Sequence, residues 1–243
     1  MKTVFITCSP KKNLNASAYL VAIQGLFVKG RKVTKKLRHK SDYAGIFEEL
    51  KDAESVVFCT PLYVDGLPSH VLAFLEEAER FFKENQLRLN LYCIANNGFI
   101  EGKQNEPLMQ VLENFCVRAG VRWCGGVGIG GGVMLNVTRI IFMVQTAVFI
   151  VLNIINGIKN GVFLDMGILS VFLKNVGLLL FFNLGVLFFL IWMGTAINKR
   201  MFFGKRYTRV LVPSFIFIPF ANVFFILISL FKGGLFRGWL ARK

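Results

Sequence analysis

The chain has 243 residues, of which 54% are hydrophobic, and its formal net charge is +15. That hydrophobic fraction is too high for one soluble domain, so we expect an apolar region beside a folded one. Residues 139–243 hold 12 of the 29 basic residues but only one of the 14 acidic residues, Asp165. Because the basic excess lies in the apolar part, it points to anionic lipid head groups and not to nucleic acid.

The cysteines and histidines predict neither a metal site nor a disulfide framework. The five cysteines are odd in number and include no Cys-x-x-Cys pair; they are Cys8, Cys59, Cys93, Cys116 and Cys124. The two histidines, His39 and His70, lie far apart in the sequence. We therefore expect buried, reduced thiols in a cytosolic domain.

Residues 1–133 alternate short apolar runs with helical patterns. The predicted strands are Thr3–Thr7, Lys32–Leu37 (at an edge), Ser55–Cys59, Leu89–Ala95 and Val121–Ile129. The predicted helices are Ala16–Lys29, Gly45–Ala53, Ser69–Glu84 and Pro107–Ala119. Alternation of this kind implies right-handed βαβ units, and we predict an α/β fold with a doubly wound parallel five-stranded sheet in the order 2-1-3-4-5. Ligands of such sheets bind beyond the carboxyl ends of the strands.

The first loop at that edge, Ser9–Ser17, reads SPKKNLNAS. A helix that starts at Asn15 or Ser17 has backbone N–H groups without intrahelical partners and a partial positive charge, which suits an anion. Lys11 and Lys12 add full positive charges. The loop fits a phosphate cradle, and an ordinary strand–helix loop with a capped helix fits the same residues.

Two further loops are expected at the same edge. Thr60–Pro68, TPLYVDGLP, holds one aromatic residue, Tyr63, between two prolines. Asn96–Asn105, NNGFIEGKQN, is rich in amides, and its glycines permit unusual backbone angles. Each feature taken singly is explained by a plain surface turn. Together with a phosphate cradle, they favour a phosphorylated planar ring as the ligand.

These segments resemble the flavodoxin-fold NAD(P)H-dependent oxidoreductases, the group that includes the NADPH-dependent FMN reductases. The resemblance is carried by SPKKNLNAS, VVFCTPLYVDGLPSHVLAFLE and ANNGFIEGKQN. It implies a flavodoxin-like fold for residues 1–133, FMN as the cofactor and NAD(P)H as a co-substrate. In that family the first loop binds the FMN phosphate, which implies Ser9, Lys11, Asn15 and Ser17 here. The other two loops flank the isoalloxazine, which implies Pro61, Leu62, Tyr63, Val64, Asn96, Asn97, Gly98 and Phe99.

The sequence departs from the family pattern at two positions of the first loop. Cys8 stands where a glycine often precedes the serine, and bulky Leu14 lies inside the phosphate loop.

After Ile129 the sequence becomes glycine-rich and then apolar. Three apolar segments follow, at 140–158, 175–197 and 210–231. The second and third contain no charged residue and exceed the roughly 20 residues that cross a bilayer, so we predict two transmembrane spans. We therefore divide the chain into a flavin-binding domain, 1–133, and an α-helical membrane region, 134–243. Pro213 and Pro219 predict a kink or a re-entrant turn in the last segment.

The segment 140–158 has two interpretations. It fits the helix that a flavodoxin-like sheet needs over one face, because Thr138, Gln145, Asn153 and Asn156 form a weak polar stripe. It also fits a membrane span, which we place first because the stretch lacks charges. The following stretch, Val162–Leu173, is too short to cross and is expected at the membrane interface.

The basic residues predict the orientation of the membrane region. Five of them lie in the loop 199–209 between the last two segments: Lys199, Arg200, Lys205, Arg206 and Arg209. That loop is expected to be cytoplasmic, on the same side as the amino-terminal domain. With three spans the basic carboxy-terminal tail then falls outside, against the same rule, and a re-entrant last segment removes the conflict.

Two functions from different classes fit these observations. The first is an integral membrane flavoprotein that takes hydride from NAD(P)H and passes electrons to a quinone or another small-molecule acceptor. The second is a non-catalytic flavodoxin-fold membrane sensor or complex subunit with weak or no flavin binding. Partners in either case are the lipid bilayer and, by default for such folds, a second copy of the chain.

Overall fold

The structure, a computed structural model, describes residues 1–12 and 15–231. The departure at Leu14 and the predicted position of the carboxy-terminal tail lie outside the described residues. The chain divides into two compact units, Met1–Val210 and Leu211–Lys243. The predicted domain boundary at residue 133 falls inside the first unit.

The first unit is built on a six-stranded sheet in the order β2-β1-β3-β4-β5-β6, with all neighbours parallel. Its strands are β1 (Lys2–Thr7), β2 (Arg31–Lys36), β3 (Ser55–Pro61), β4 (Asn90–Asn96), β5 (Arg122–Gly130) and β6 (Gly204–Arg209). The first five confirm the predicted strands, their order and the edge position of β2. The central strands are continuous apolar runs because helices cover both faces of the sheet.

The four predicted helices of the amino-terminal part are confirmed. They are α1 (Ala16–Phe27), α2 (Tyr43–Leu50), α3 (Ser69–Glu84) and α4 (Glu106–Ala119). The last three pack on one face of the sheet and enclose a continuous apolar core, in which Phe58, Phe74, Phe82 and Phe115 are the largest buried side chains. Alternate strand residues face the other side, where α1 lies.

The prediction of five strands is wrong in number, because β6 extends the sheet beside β5. Lys205 Nζ lies 2.6 Å from Glu113 Oε2 and 3.2 Å from Glu106 Oε1 on α4. The Tyr207 hydroxyl also donates a hydrogen bond to Glu106. A polar strand, GKRYTR, is tolerated here because it lies at the sheet edge, where charged side chains also discourage pairing with another chain. Its sequence therefore lacks the apolar run that identifies a buried strand.

The segment 175–197 is not one straight helix. It is divided between α6 (Met166–Phe182) and α7 (Leu184–Lys199), which meet at Asn183 with a bend of 67°. The side of α7 that faces the sheet is buried: Val186, Leu190, Met193, Ala196 and Ile197. Thus α7 is the second covering helix of the sheet, beside α1, and the predicted transmembrane span over 175–197 is interrupted at Asn183 and is not confirmed.

Polar contacts fix the end of α7 against the sheet and α1. The buried Tyr92 hydroxyl of β4 donates to the carbonyl oxygens of Ala196 and Met201, at 3.2 and 2.9 Å. Asn198 donates to the Phe27 carbonyl at 2.9 Å and accepts from the Lys29 N–H at 2.8 Å. These contacts satisfy the backbone groups at the end of α1.

The basic stretch 199–209 belongs to the same folded unit. Arg200 forms an ion pair with Glu54, and the Arg206 guanidinium lies 5.0 Å from the centre of the Trp192 ring. These residues therefore have structural partners in addition to any role in orientation.

Between β5 and α7 the chain forms a helical hairpin of α5 (Gly132–Asn160) and α6. The first two turns of α5 are partly buried, and Met134, Leu135 and Thr138 lie on the buried side near α1. Beyond these turns the helix contacts α6, and the rings of Phe149 and Phe172 stack at 4.5 Å. The segment 140–158 is thus not the covering helix of the sheet. Residues 162–165 form the turn of the hairpin, and 166–173 begin α6.

By length and composition, α5 is able by itself to cross a membrane. Only 11% of its most apolar 18-residue stretch is buried, so α5 is not a core helix packed on the sheet. Helices α6 and α7 reach a comparable length and hydropathy only when they are taken together as a bent pair. In the second unit, α8 (Ser214–Phe231) contains Pro219, where a kink is expected. A membrane span at 210–231 stays a prediction.

Candidate functional site

The three loops predicted to bind the ligand meet at one edge of the sheet. Thr7 pairs with Cys59, and Pro61 pairs with Asn96, so β1, β3 and β4 end side by side. The loops that follow these strands contain all twelve predicted site residues or lie next to them. The edge is therefore as predicted, and the binding role of each residue stays a prediction.

The first loop is folded around its own polar groups. Asn15 is the N-cap of α1: its Oδ1 accepts from the Ala18 N–H at 2.7 Å, and its Nδ2 donates to the Lys11 carbonyl at 3.2 Å. The hydroxyl oxygen of buried Ser9 accepts from the Lys11 N–H at 3.4 Å. The side chains of Lys11 and Lys12 are exposed. The loop thus presents two ammonium groups beside a helix start.

Arg38, which follows β2, holds this loop and was missed by the sequence analysis. Its Nε donates to the Ser9 carbonyl at 3.3 Å, and its Nη2 donates to the carbonyls of Lys11 and Lys12 at 2.7 and 3.3 Å. The signal in the sequence was positional: β2 neighbours β1, so a cation just after β2 lies at the same edge.

Asp42 in turn positions the backbone at Arg38. Its Oδ2 accepts from the N–H groups of Arg38 and His39, at 2.8 and 2.9 Å. Burial alone raises the pKa of the Asp42 carboxyl, but these two hydrogen bonds outweigh it and hold the pKa below its ordinary value. The carboxylate is therefore ionised at neutral pH and fixes the turn that carries the guanidinium.

Ser17 and Asn96 contact each other directly. The Ser17 side chain is only 1% exposed, and its oxygen accepts from Asn96 Nδ2 at 3.1 Å. The same Asn96 amide donates to the Thr60 carbonyl at 3.3 Å. These two predicted ligand residues therefore join the start of α1 to the ends of β3 and β4.

The second loop forms a tight hairpin turn above this edge. The N–H of Tyr63 donates to the Gly66 carbonyl and the N–H of Gly66 to the Tyr63 carbonyl, both at 3.0 Å. Between them Val64 and Asp65 have φ values of 46° and 58°. Positive φ at both central residues is typical of a type I′ turn, but it is costly for a β-branched valine. The turn leaves the Val64 side chain fully exposed.

The neighbours of that turn are partly or wholly buried. Pro61 ends β3, and the N–H of buried Leu62 donates to the Asn96 carbonyl at 2.8 Å. The Tyr63 side chain is 39% exposed, and partial burial raises the pKa of its phenol. Tyr63 is therefore neutral and presents an apolar ring at the edge of the sheet.

The third loop contacts the start of α5 through Asn97. Asn97 donates from its N–H to the Ile129 carbonyl at 3.1 Å, and its own carbonyl accepts from the Gly132 N–H at 2.7 Å. Its Nδ2 donates to the Glu101 carbonyl at 3.0 Å, whereas its buried Oδ1 has no partner among the described residues. Next to it, Gly98 precedes Phe99, whose ring is 56% exposed.

The thiols near this edge are protonated. Cys8 and Cys59 are fully buried, and loss of hydration raises the pKa of both thiols well above the ordinary value. All five cysteines are free and buried, so their expected position in the core is confirmed. Within residues 1–12 and 15–231, no three His, Cys, Asp or Glu side chains cluster as metal ligands.

A cavity of about 190 Å³ lies where α1, α5, α6 and α7 meet. Its wall includes Tyr19, two residues beyond Ser17, together with Thr138 and Asn183. The guanidinium of Arg139 lies 5.5 Å from the centre of the Tyr19 ring. Burial raises the pKa of the Tyr19 phenol, and Arg139 opposes that shift in part.

Solved structures with a similar fold were found, although no protein-family model and no curated protein matches the sequence. One is the Trp repressor binding protein from Bacillus subtilis, with 18% identity, a TM-score of 0.44, and coverage of 53% of this chain and 84% of that chain. A second is an NAD(P)H:quinone oxidoreductase from Methanothermobacter marburgensis, with 13% identity, a TM-score of 0.43, and coverage of 54% and 84%.

A third is general stress protein 14 from Treponema denticola in complex with FMN, with 14% identity, a TM-score of 0.44, and coverage of 52% and 84%. Because all three TM-scores lie below 0.5, the class of this chain rests on its own strand order. That order defines a flavodoxin-like α/β protein.

Proposed function

We propose that this protein is a membrane-anchored flavin-dependent oxidoreductase that moves electrons from NAD(P)H through FMN to a quinone or another small-molecule acceptor. One observation carries the proposal. The carboxyl edge of the sheet carries both a basic loop at a helix start and three exposed apolar side chains, Tyr63, Val64 and Phe99. The sequences of these loops resemble those of FMN reductases.

The first loop fits a phosphate in its charge and in its donors. Backbone N–H groups in the first turn of α1 have no intrahelical partner, and the helix dipole favours an anion there. Lys11 and Lys12 supply two exposed ammonium groups, and Arg38 holds the loop backbone through hydrogen bonds to its carbonyl oxygens. The side chains of Asn15 and Ser17 are already hydrogen-bonded within the protein, so we assign them to shaping the cradle.

The other two loops fit an aromatic ring with polar edges. Tyr63 and Phe99 lie on the loops that follow the adjacent strands β3 and β4, and neither forms an aromatic pair within the described residues. Buried Asn97 Oδ1, which lacks a donor there, fits a ligand N–H group.

We assign the residues of this edge to binding and orienting the flavin. The described residues include none that we assign to proton transfer. When FMN is bound it would supply the redox chemistry, namely acceptance of a hydride from NAD(P)H and transfer of the electrons to the acceptor. The chain supplies cations for a phosphate, apolar side chains that exclude water from a ring, and a buried acceptor that fixes its orientation. The protonated thiols of Cys8 and Cys59 have no thiolate to offer to the reaction.

The test measures flavin binding by the full-length protein in mild detergent. Replacing Lys11 and Lys12 together by alanine should weaken FMN binding by about 10-fold or more, since charge-assisted contacts are worth roughly 1.5–3 kcal/mol each. Riboflavin lacks the phosphate, so its affinity should hardly change. Lys29→Ala, an exposed lysine beyond the opposite end of α1, is the matched control.

NAD(P)H oxidation with a soluble quinone as acceptor completes the test. We expect FMN-dependent turnover by the full-length protein. A colourless protein that neither binds FMN nor oxidises NAD(P)H would reject the proposal and favour the sensor or complex subunit.

A further inference from the structure

The hairpin of α5 and α6 exposes apolar side chains along both of its helices. No charged residue lies between Arg139 and Lys159, a stretch of about 28 Å at 1.5 Å per residue. That length matches the roughly 30 Å hydrocarbon core of a bilayer. The exposed side chains include Phe142, Val148, Val151 and Ile155 on α5 and Val171, Leu178, Leu180 and Phe181 on α6. A hairpin with apolar groups on so many sides suits lipid better than water.

The turn of the hairpin combines exposed apolar side chains, Val162, Phe163 and Leu164, with a set of paired polar groups. Asp165 caps α6 by accepting from the Ile168 N–H at 3.0 Å, and the Asp165 N–H donates to Asn153 Oδ1 at 2.9 Å. Asn156 Nδ2 contacts the Val162 carbonyl at 3.2 Å. The polar groups of the turn are thus paired with each other, which fixes where α5 ends and α6 begins.

The sheet limits how often the chain between β5 and β6 can cross a membrane. Gly130 of β5 pairs with Arg209 of β6, so the two strands lie on the same side of any bilayer. The chain that joins them must therefore cross an even number of times. Because α7 is buried against the sheet beside α1, only α5 and α6 remain as crossing helices.

We propose that the hairpin of α5 and α6 crosses a lipid bilayer twice and carries its turn, residues 162–165, to the face opposite the sheet. This inference deepens the membrane part of the proposed function and does not depend on flavin binding. With 17 residues, α6 has the minimum length for a crossing.

Full crossing places fewer charges in lipid than partial insertion does. A hairpin that ended inside the bilayer would hold Lys159, Asp165 and the amides of the turn in hydrocarbon. A hairpin that crosses leaves only Lys174, near the middle of α6, at that depth. One long lysine side chain can extend towards the interface, so the complete crossing costs less.

Cysteine labelling of the full-length protein tests the topology. The five native thiols are buried, so the background is low. Val162→Cys reports the turn, and Phe202→Cys, on a side chain 64% exposed beside β6, reports the sheet side. Phe203 is only 3% exposed, so a cysteine there would be protected by burial alone.

A membrane-impermeant maleimide on sealed cells should label Val162→Cys and leave Phe202→Cys unlabelled until the cells are permeabilised. The reverse pattern would keep the two crossings and reverse the orientation. Equal labelling of both cysteines, or protection of both, would overturn the proposal.

Reconstitution separates a bilayer from a partner protein as the occupant of this surface. The purified full-length protein should stay with vesicles of phosphatidylcholine alone after alkaline carbonate treatment. In the labelling assay, Val148→Arg, on the exposed part of α5, should reduce the labelling of Val162→Cys, and Lys174→Leu should not. Release of the unmodified protein from the vesicles would overturn the proposal and favour a protein partner as the cover of the hairpin. Unchanged labelling of Val162→Cys in the Val148→Arg protein would likewise overturn the proposal.

Discussion

The hydroxyl oxygen of Ser17 accepts a hydrogen bond from Asn96 Nδ2 over 3.1 Å. This contact joins the first turn of α1 to the end of β4, so the first and third loops of the edge are mechanically coupled. A change at either residue therefore alters the shape of both loops and not one contact alone.

Ser17→Ala should lower the free energy of unfolding by about 1 kcal/mol, because it removes a buried acceptor and leaves Asn96 Nδ2 with the Thr60 carbonyl alone. A double-mutant cycle with Asn96→Ala, measured by denaturant unfolding in mild detergent, should show a coupling of about 0.5 kcal/mol or more. Ser41→Ala, at an exposed position, is the control. Strict additivity of the two changes would contradict the contact.

Arg38→Gln should weaken FMN binding by about 3- to 10-fold, since the lost charge-assisted bonds to the first loop are partly exposed and worth less than buried ones. Riboflavin should be affected much less, because the guanidinium acts on the loop proposed to hold the phosphate. Fluorescence titration of the two flavins measures the difference.

Lys32→Gln is the matched control for Arg38→Gln, because Lys32 Nζ donates to the Gly25 carbonyl at 2.8 Å on the exposed surface. An equal loss of affinity in both variants would indicate a general charge effect and reject a positioning role for Arg38.

Asp42 should make the stability of the protein depend on pH in the acidic range. Its folded-state pKa lies below its ordinary value of 3.8, so its contribution to stability is present above that value and is lost as the pH falls through the folded pKa. The free energy of unfolding, measured between about pH 5 and pH 2, should therefore fall as the pH falls, and Asp42→Asn should make that fall smaller. An identical pH profile in the variant would show that Asp42 does not contribute.

Gly102→Ala should destabilise the sheet by about 1–3 kcal/mol or more, because the new methyl group would overlap the carbonyl oxygens of Thr208 in β6 and Gly128 in β5. Gly25→Ala is the matched change in open space inside α1, where it should stabilise the protein by about 0.5–1 kcal/mol. Thermal unfolding of both variants checks the pair. A Gly102→Ala protein as stable as the parent would mean that β6 does not lie against this glycine.

The local pattern of the sequence determined the first five strands, their order and the four helices between them. Each central strand is an apolar run and each helix has one apolar side, so local periodicity and right-handed crossovers suffice to place them. The meeting of the loops after β1, β3 and β4 follows from the same order. The exact contacts within that edge do not, and neither the clamp by Arg38 nor the contact of Ser17 with Asn96 is visible in the spacing of residues.

The tertiary structure alone decided what becomes of the second half of the chain. Hydropathy is the same for a helix that meets lipid and for one that covers an apolar sheet, so 175–197 read as one span although α7 packs beside α1. The basic residues of β6 resemble a loop that faces head groups, yet Lys205 is paired with Glu113 of α4. Composition shows how apolar or charged a segment is. Only long-range contacts determine whether that segment packs against lipid, against the sheet or against an oppositely charged side chain.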